Sequence, residues 1–388
     1  MRLLMCEIRQ WLRSPALYAA ILLVALFVGA QLGEDGFAQS LASWPTPPEP
    51  GLTTRADGWP AYGFCPDDSP ETRMQAMSVT LLSSAQGNPV LVPTLGGFIN
   101  RNVMLSEAEI AQVRAAFMEI TGCAPDAVPS LEEIPILLDE AAFSARLDAL
   151  NTALGQPYFK LGTQRAYRER TYEEAQTDYA LMVSQDKVTR AYARYYGDYM
   201  GIALALFPAL LAAFMMGKDK RSGAAALVGA RPISGVRYVA VKYAGLMVPL
   251  CAAVLLAACL PTAGAVRMAW AGHDVDLLAY LAVSVYWLLP TVLATSALTL
   301  LVSVVTGSGI AAVPVALGWW FLSVGSGLEG PYGLYEATIR FNSTAAMPAA
   351  WAGQIAANRG VMIGLALAFV LGAGLVYEWK RTRGADHA

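Results

Sequence analysis

The stretch YMGIALALFPALLAAFMMG at 199–217 runs directly into KDKRSGAAALVGARPISGVRYVAVK at 218–242. The first part carries no charge over a length that, at about 20 residues, suffices to cross the ~30 Å hydrocarbon core of a bilayer. The second carries Lys218, Lys220, Arg221, Arg231, Arg237 and Lys242 against one acid, Asp219. Lysine and arginine packed against a span mark its cytoplasmic side. A membrane helix followed by a cytoplasmic loop is therefore the reading from which the rest of the chain is ordered.

Composition agrees. Of 388 residues, 56% are hydrophobic and 15% charged, with mean hydropathy +0.43. Soluble domains carry roughly 25% charge. Five further apolar runs join the first: 16–32, 243–266, 277–305 with Pro290 inside, 307–328 with Pro314 inside, and 361–377. The expected fold class is an α-helical integral membrane protein with six transmembrane helices. An amphipathic elbow helix at 1–15 precedes the first span, and a mainly helical α+β extracytoplasmic domain fills 33–198. The second to sixth spans occupy 199–377, with an amphipathic external segment at 329–360 and a cytoplasmic tail at 378–388.

Charge orients this layout. The N-terminus, the 218–242 loop and the tail hold twelve basic and four acidic residues, a net of +8, whereas 33–198 holds twelve basic and 22 acidic, a net of −10. Six crossings put both termini on one face, and that face is the positive one, the cytoplasmic side of the cell membrane. The first run could instead be a signal peptide ending near Val28-Gly29-Ala30. It is longer than the 7–15 residues of such a core, and it follows a patterned amphipathic leader, so a retained span is the preferred reading.

In the domain at 33–198, Ser106 with Glu109, Ser130 with Glu133 and Thr171 with Glu174 have the spacing of helix capping boxes. The last opens a helical pattern from 172 to 199. Runs at 78–82 and 90–92 read as short strands around a turn at Gly87-Asn88. Cys65 and Cys123 are the two cysteines of this segment. In an oxidising compartment they predict a disulfide, two free thiols being the alternative. Cys6, Cys251 and Cys259 read as packing residues.

The spans, so bounded, contain no Asp, Glu, Lys, Arg or His, which disfavours ion-driven transport. No HExxH, GxSxG or GxxxxGK[ST] occurs, so the chain is not expected to be an enzyme or an ATPase and binds no cofactor of its own. His273 beside Asp274 and Asp276 reads as a solvated loop rather than a metal site. The pI near 5.6 gives no basic face for nucleic acid.

The 218–242 loop resembles the corresponding loop of ABC-2 type permeases, the transmembrane subunits of ATP-binding-cassette exporters. Asp219, Gly223, Pro232-Ile233-Ser234 and Lys242 match that family's spacing. The opening EIRQWLRSP at 7–15 looks like its elbow helix. Ala224 and Ala226 stand where the family often has Thr and Glu. The resemblance implies that Lys218, Asp219, Lys220, Arg221, Gly223, Leu227, Pro232 and Lys242 couple to a separate nucleotide-binding subunit, with Glu7, Trp11 and Arg13 as a second contact. ATP and Mg would sit on that partner. A second permease copy or sister permease would complete the pathway, lined by spans one, two and five. An uncharged interior favours an amphipathic or lipid-like substrate. The alternative is an ABC-linked signal transmitter or receptor whose external domain senses a ligand without transport.

Overall fold

The computed structural model describes residues 2–34, 43–54, 58–94, 99–128, 134–161, 166–217, 233–324 and 332–385. It is mostly helical, and it divides into two compact units, Pro47–Thr177 and the remainder of the chain.

The chain opens with α1, Arg2–Leu12, and α2, Pro15–Glu34. Between them the axis bends by 58°. Pro15 has no N–H to continue the ladder of α1, whereas at the first position of α2 that missing donor costs nothing. The loose carbonyls are taken up locally. Ser14 N–H donates to Trp11 O at 2.9 Å, and the Tyr18 hydroxyl donates to Leu12 O at 2.7 Å. The elbow and the first apolar helix expected at 1–32 are thus one bent pair.

The unit at Pro47–Thr177 is built from β1 (Phe64–Pro66), α3 (Pro70–Ala85), β2 (Val90–Thr94), β3 (Ile99–Val103), α4 (Glu107–Thr121), α5 (Glu140–Leu154) and β4 (Tyr167–Glu169). β1 pairs antiparallel with β4, and β2 with β3. α3, α4 and α5 enclose a core of Leu81, Val113, Phe117, Ile120, Phe143 and Leu147. The capping box of Ser106 and Glu109 is formed in both directions. So is that of Thr171 and Glu174, at 3.0 and 3.2 Å. Ser130 and Glu133 lie outside the described residues.

Two expectations fail in this unit. Residues 78–82 are helical, inside α3. Ser69 caps that helix and Pro70 starts it, and burial of Leu81 and Leu82 at helical spacing outweighs the local strand preference. The disulfide is not formed. Cys65 and Cys123 are both free. Cys65 lies in the β1/β4 ribbon with its Sγ 3.8 Å from Arg168 O, and Cys123 follows the end of α4.

The pattern expected to run unbroken from 172 to 199 is two helices, α6 (Tyr172–Ser184) and α7 (Thr189–Met215). Lys187 and Val188 turn the chain with φ of 48° and 59°, a conformation that L-residues adopt only when held. Lys187 pairs with Asp274 at 2.9 Å, and Arg190 with Asp276 at 2.8 Å. The two carboxylates flanking His273 are therefore engaged by bases, and His273 stacks on Trp44 at 4.0 Å.

Then follow α8 (Gly235–Trp270), α9 (Ala279–Val283), a π-turn at Ser284–Leu288, α10 (Leu289–Thr306), α11 (Gly309–Val324) and α12 (Ala349–Ala385). The π-turn opens the ladder just before Pro290, a residue that cannot donate to it. α10 is the central helix and packs on α7, α11 and α12.

Among the described residues, four helical stretches are long and apolar enough to cross a membrane: Thr189–Met215, Gly235–Trp270, Ala279–Thr306 and Ala349–Arg383. The bent α1/α2 pair makes a fifth. α11, expected as a full span over 307–328, has 16 residues, about 24 Å of rise. The segment at 329–360 is described from Tyr332 onward. It is irregular up to 348, and α12 then begins twelve residues before the expected start of the last span.

The β1/β4 ribbon predicts an acid sensitivity. Arg168 binds both carboxylate oxygens of Glu174 and lies 3.3 Å from Asp67. Together with the Thr171 N–H, it pulls the Glu174 carboxyl down from 4.5 to about 2. The Ser69 N–H and the Thr72 hydroxyl hold Asp67 below its usual range. Both folded values are depressed, so this contribution is complete above the unfolded values and is lost as pH falls toward the folded ones. Thermal unfolding followed from pH 7 to 2 is expected to weaken below about pH 4.5. Arg168→Met should flatten that dependence, and an unchanged profile in the variant would refute the assignment.

Candidate functional site

Among the described residues of the helical unit two polar assemblies can be followed, and of the expected site residues Glu7, Trp11 and Lys242 fall near the first. Here α8 starts. Ser234 caps it, accepting from Arg237 N–H at 3.4 Å. The next N–H, on Gly235, donates to the carboxylate of Glu378 on α12. Arg381 pairs with Glu378 and donates to Ile233 O, both at 2.6 Å. Lys380 donates to Val304 O and Val305 O, at 3.0 and 2.7 Å. It thereby caps the carbonyl end of α10, where a cation is favoured. The α8/α12 crossing is so close that a Cβ on Gly235 would lie 2.8 Å from the Glu378 backbone, and one on Gly374 2.5 Å from Val236 Cα. Only glycine fits at either position.

Two helical turns further along, Lys242 is 2% exposed and its Nζ lies 3.2 Å from Glu7 Oε1. Its ammonium also sits 5.6 Å from the Tyr238 ring. Trp11 is buried in the same region. Arg13 is exposed and shares a shallow groove with Cys6, Arg9 and Gln10. The structure therefore joins two residues that the sequence assigned to separate partner contacts, Glu7 and Lys242, as one ion pair within the chain. Lys218, Asp219, Lys220, Arg221, Gly223, Leu227 and Pro232 lie outside the described residues. Glu378, Lys380 and Arg381 were read only as tail charges. Their spacing at i, i+2 and i+3 was the available signal that one helical turn could clamp two neighbours.

The second assembly has no counterpart in the sequence reading, which placed no charge within the spans. Asp198 on α7 is fully buried. Its Oδ1 accepts from Arg340 Nε at 2.6 Å and from the Phe341 N–H at 3.0 Å. Arg340 also donates to the O of Val324, the last residue of α11, at 3.0 Å. Arg194, one turn before Asp198, binds both oxygens of Asp186 at 2.7 and 2.6 Å and donates to Ala345 O at 3.0 Å. Its guanidinium also lies over the Phe341 ring.

Arg359, inside α12, is 2% exposed and pairs with no carboxylate among the described residues. Carbonyls and amides surround it instead. It donates to Trp287 O at 2.7 Å, Thr291 Oγ1 at 2.8 Å, Asn358 Oδ1 at 2.8 Å, and Glu336 O and Ala337 O at 3.3 Å. Trp287 lies in the π-turn, where the helix ladder leaves carbonyl capacity to spare. The irregular segment 332–348 is therefore pinned from three sides, by α7, α10 and α12.

Among the described residues, no three or more His, Cys, Asp or Glu side chains gather as metal ligands. The chain matches no family model, no curated protein and no solved structure.

Removing one partner of a buried ion pair leaves the other charge uncompensated, at a cost of about 3–5 kcal/mol. Arg340→Met is expected to destabilise the detergent-solubilised chain by that order, measured by denaturant unfolding. Arg340→Met combined with Asp198→Leu should recover most of the loss. A double variant no better than the single would show that the pair does not act as a unit.

Proposed function

We propose that this chain is the transmembrane permease subunit of an ABC-2 type exporter, driven by ATP that a separate nucleotide-binding subunit hydrolyses. In this reading α11 completes a sixth crossing. Both termini and the 218–242 loop then face the cytoplasm of the cell membrane, and 33–198 lies outside it. The charge asymmetry between those regions supports this orientation. A second copy or a sister permease would supply the other half of the pathway, since export between rocking halves needs two.

The observation that carries the proposal is the ion pair of Glu7 and Lys242. It ties the elbow α1 to α8 just beyond the loop that resembles a coupling segment. The same start of α8 is clamped to α12 through Glu378 and Arg381. A partner docking at 219–229, with Arg13 exposed nearby on the elbow, would act on one braced end of the helical unit. Glu7 and Lys242 then serve as the internal brace, and Lys218, Asp219, Lys220 and Arg221 as the contact. The cargo that suits this unit is amphipathic or lipid-like. The full-length helices present apolar faces, and the buried charges pair with each other or with backbone.

A mild-detergent pull-down of the tagged chain from its native host, with mass spectrometry and an ATPase assay, tests the proposal. The expected result is an ATP-binding-cassette subunit at one-to-one stoichiometry, and a chain without an ATPase partner would overturn the reading. Within such a complex, Pro232→Ala combined with Asp219→Lys should uncouple ATP hydrolysis from transport and leave membrane insertion intact. Glu7→Lys should impair coupling, and adding Lys242→Glu should restore part of it. Substrate-stimulated ATPase that is indifferent to all these variants would remove the loop and its brace from the mechanism.

A further inference from the structure

A cavity of about 420 Å³ opens between α2, α7 and α8, within the 300–1,000 Å³ range of ligand sites. Its walls are aliphatic: Val24 and Val28 from α2, Leu204 and Pro208 from α7, Val254 and Pro261 from α8. One cation lines it, Arg267. Arg267 is exposed, and its guanidinium has no partner among the described residues. The wall also holds Tyr196, 4% exposed. The Tyr196 hydroxyl is buried beside Ser284 and Tyr280.

Tyr196 and Arg267 lie toward the same end of the cleft. α7 starts and α8 finishes there, joined by the hydrogen bond from Asp276 N–H to Thr189 Oγ1 at 2.8 Å. The other end, at Ala20, Pro208 and Leu250, is wholly apolar. From Leu250 to Arg267 the helix rises about 25 Å, longer than the ~15 Å of hydrocarbon in one leaflet.

We propose that this cleft binds an anionic amphiphile. Its acyl chain lies along α2, α7 and α8, and its phosphate or carboxylate pairs with Arg267. In a membrane an aliphatic cleft of this length is filled by alkyl chain. Arg267, at one end, fixes which way the chain lies and selects the head group. The site stands whether or not the exporter reading does, because loading it needs no ATPase.

Native mass spectrometry of the full chain tests this, with equal amounts of phosphatidylglycerol and phosphatidylcholine of matched chains. The expected result is one retained lipid per chain, with phosphatidylglycerol favoured about fivefold, the effect of one basic residue on an anionic lipid. Arg267→Gln, an exposed substitution that leaves the core intact, should equalise the two lipids. Ala257→Trp should fill the cleft and remove both. Equal retention by the unaltered chain, or a preference unchanged in Arg267→Gln, would overturn the proposal. So would a lipid-free two-chain species that Ala257→Trp abolishes, since the cleft would then be the seat of a second copy. Extraction and identification of the co-purified ligand separates the two sources of this chemistry, a bilayer phospholipid or another anionic acyl compound.

Discussion

The constraint on which the helical unit depends is that a charge held away from water must find its partner inside the protein. Asp198, Arg340, Arg194, Asp186 and Arg359 meet it in two ways. Asp198 and Arg194 each take an opposite charge and a backbone group. Arg359 takes no carboxylate among the described residues and is solvated by carbonyls and an amide. The carbonyls come from the π-turn before Pro290 and from the irregular segment after α11. Non-helical backbone among apolar helices is tolerated only where protein satisfies it. Each element therefore supplies what the other lacks: the segment offers free acceptors, and Arg359 offers five donors in a fixed fork.

That reciprocity explains which parts of the fold were legible in the sequence. The existence of the apolar helices was, because long uncharged runs carry their signal locally. Their ends were not. Cutting a span at its first charge stops α12 short of Arg359 and α7 short of Asp198, yet both helices run on through those residues. A buried pair such as Asp198 and Arg340 brings together positions from distant parts of the chain, and hydropathy averaged along the sequence cannot see it. The same blindness hid the break at Lys187 and Val188. Nothing in that short run demands a left-handed turn, and the ion pairs to Asp274 and Asp276 that hold it come from the loop after α8. Capping boxes were legible for the opposite reason, since both of their partners sit within four residues.

The candidate site divides along the same line. Glu7, Trp11 and Lys242 could be singled out as a set, but as surface contacts. Their burial against one another follows from the bend at Pro15 and the start of α8 at Ser234, which bring the elbow and α8 side by side. Lys242 could not remain in this position unpaired at 2% exposure, and Glu7 is the carboxylate that reaches it. The spacing that suggested a coupling loop thus marks, at its far end, a residue whose charge serves internal assembly.

The elbow also links this brace to the cleft. α1 is tied to α8 by the Glu7 and Lys242 pair, while α2, continuous with α1 across the 58° bend, packs on α7. The two sides of the cleft, α2 with α7 and α8 opposite, are thus joined at one end through that bend and at the other by the hydrogen bond from Asp276 to Thr189. Between these ties the lining is aliphatic apart from Tyr196, and dispersion contacts between such side chains are individually weak. A chain entering there displaces no polar interaction. The separation of α2 from α8 is set by the angle at Pro15, the one place along α1 and α2 where the backbone ladder is already interrupted.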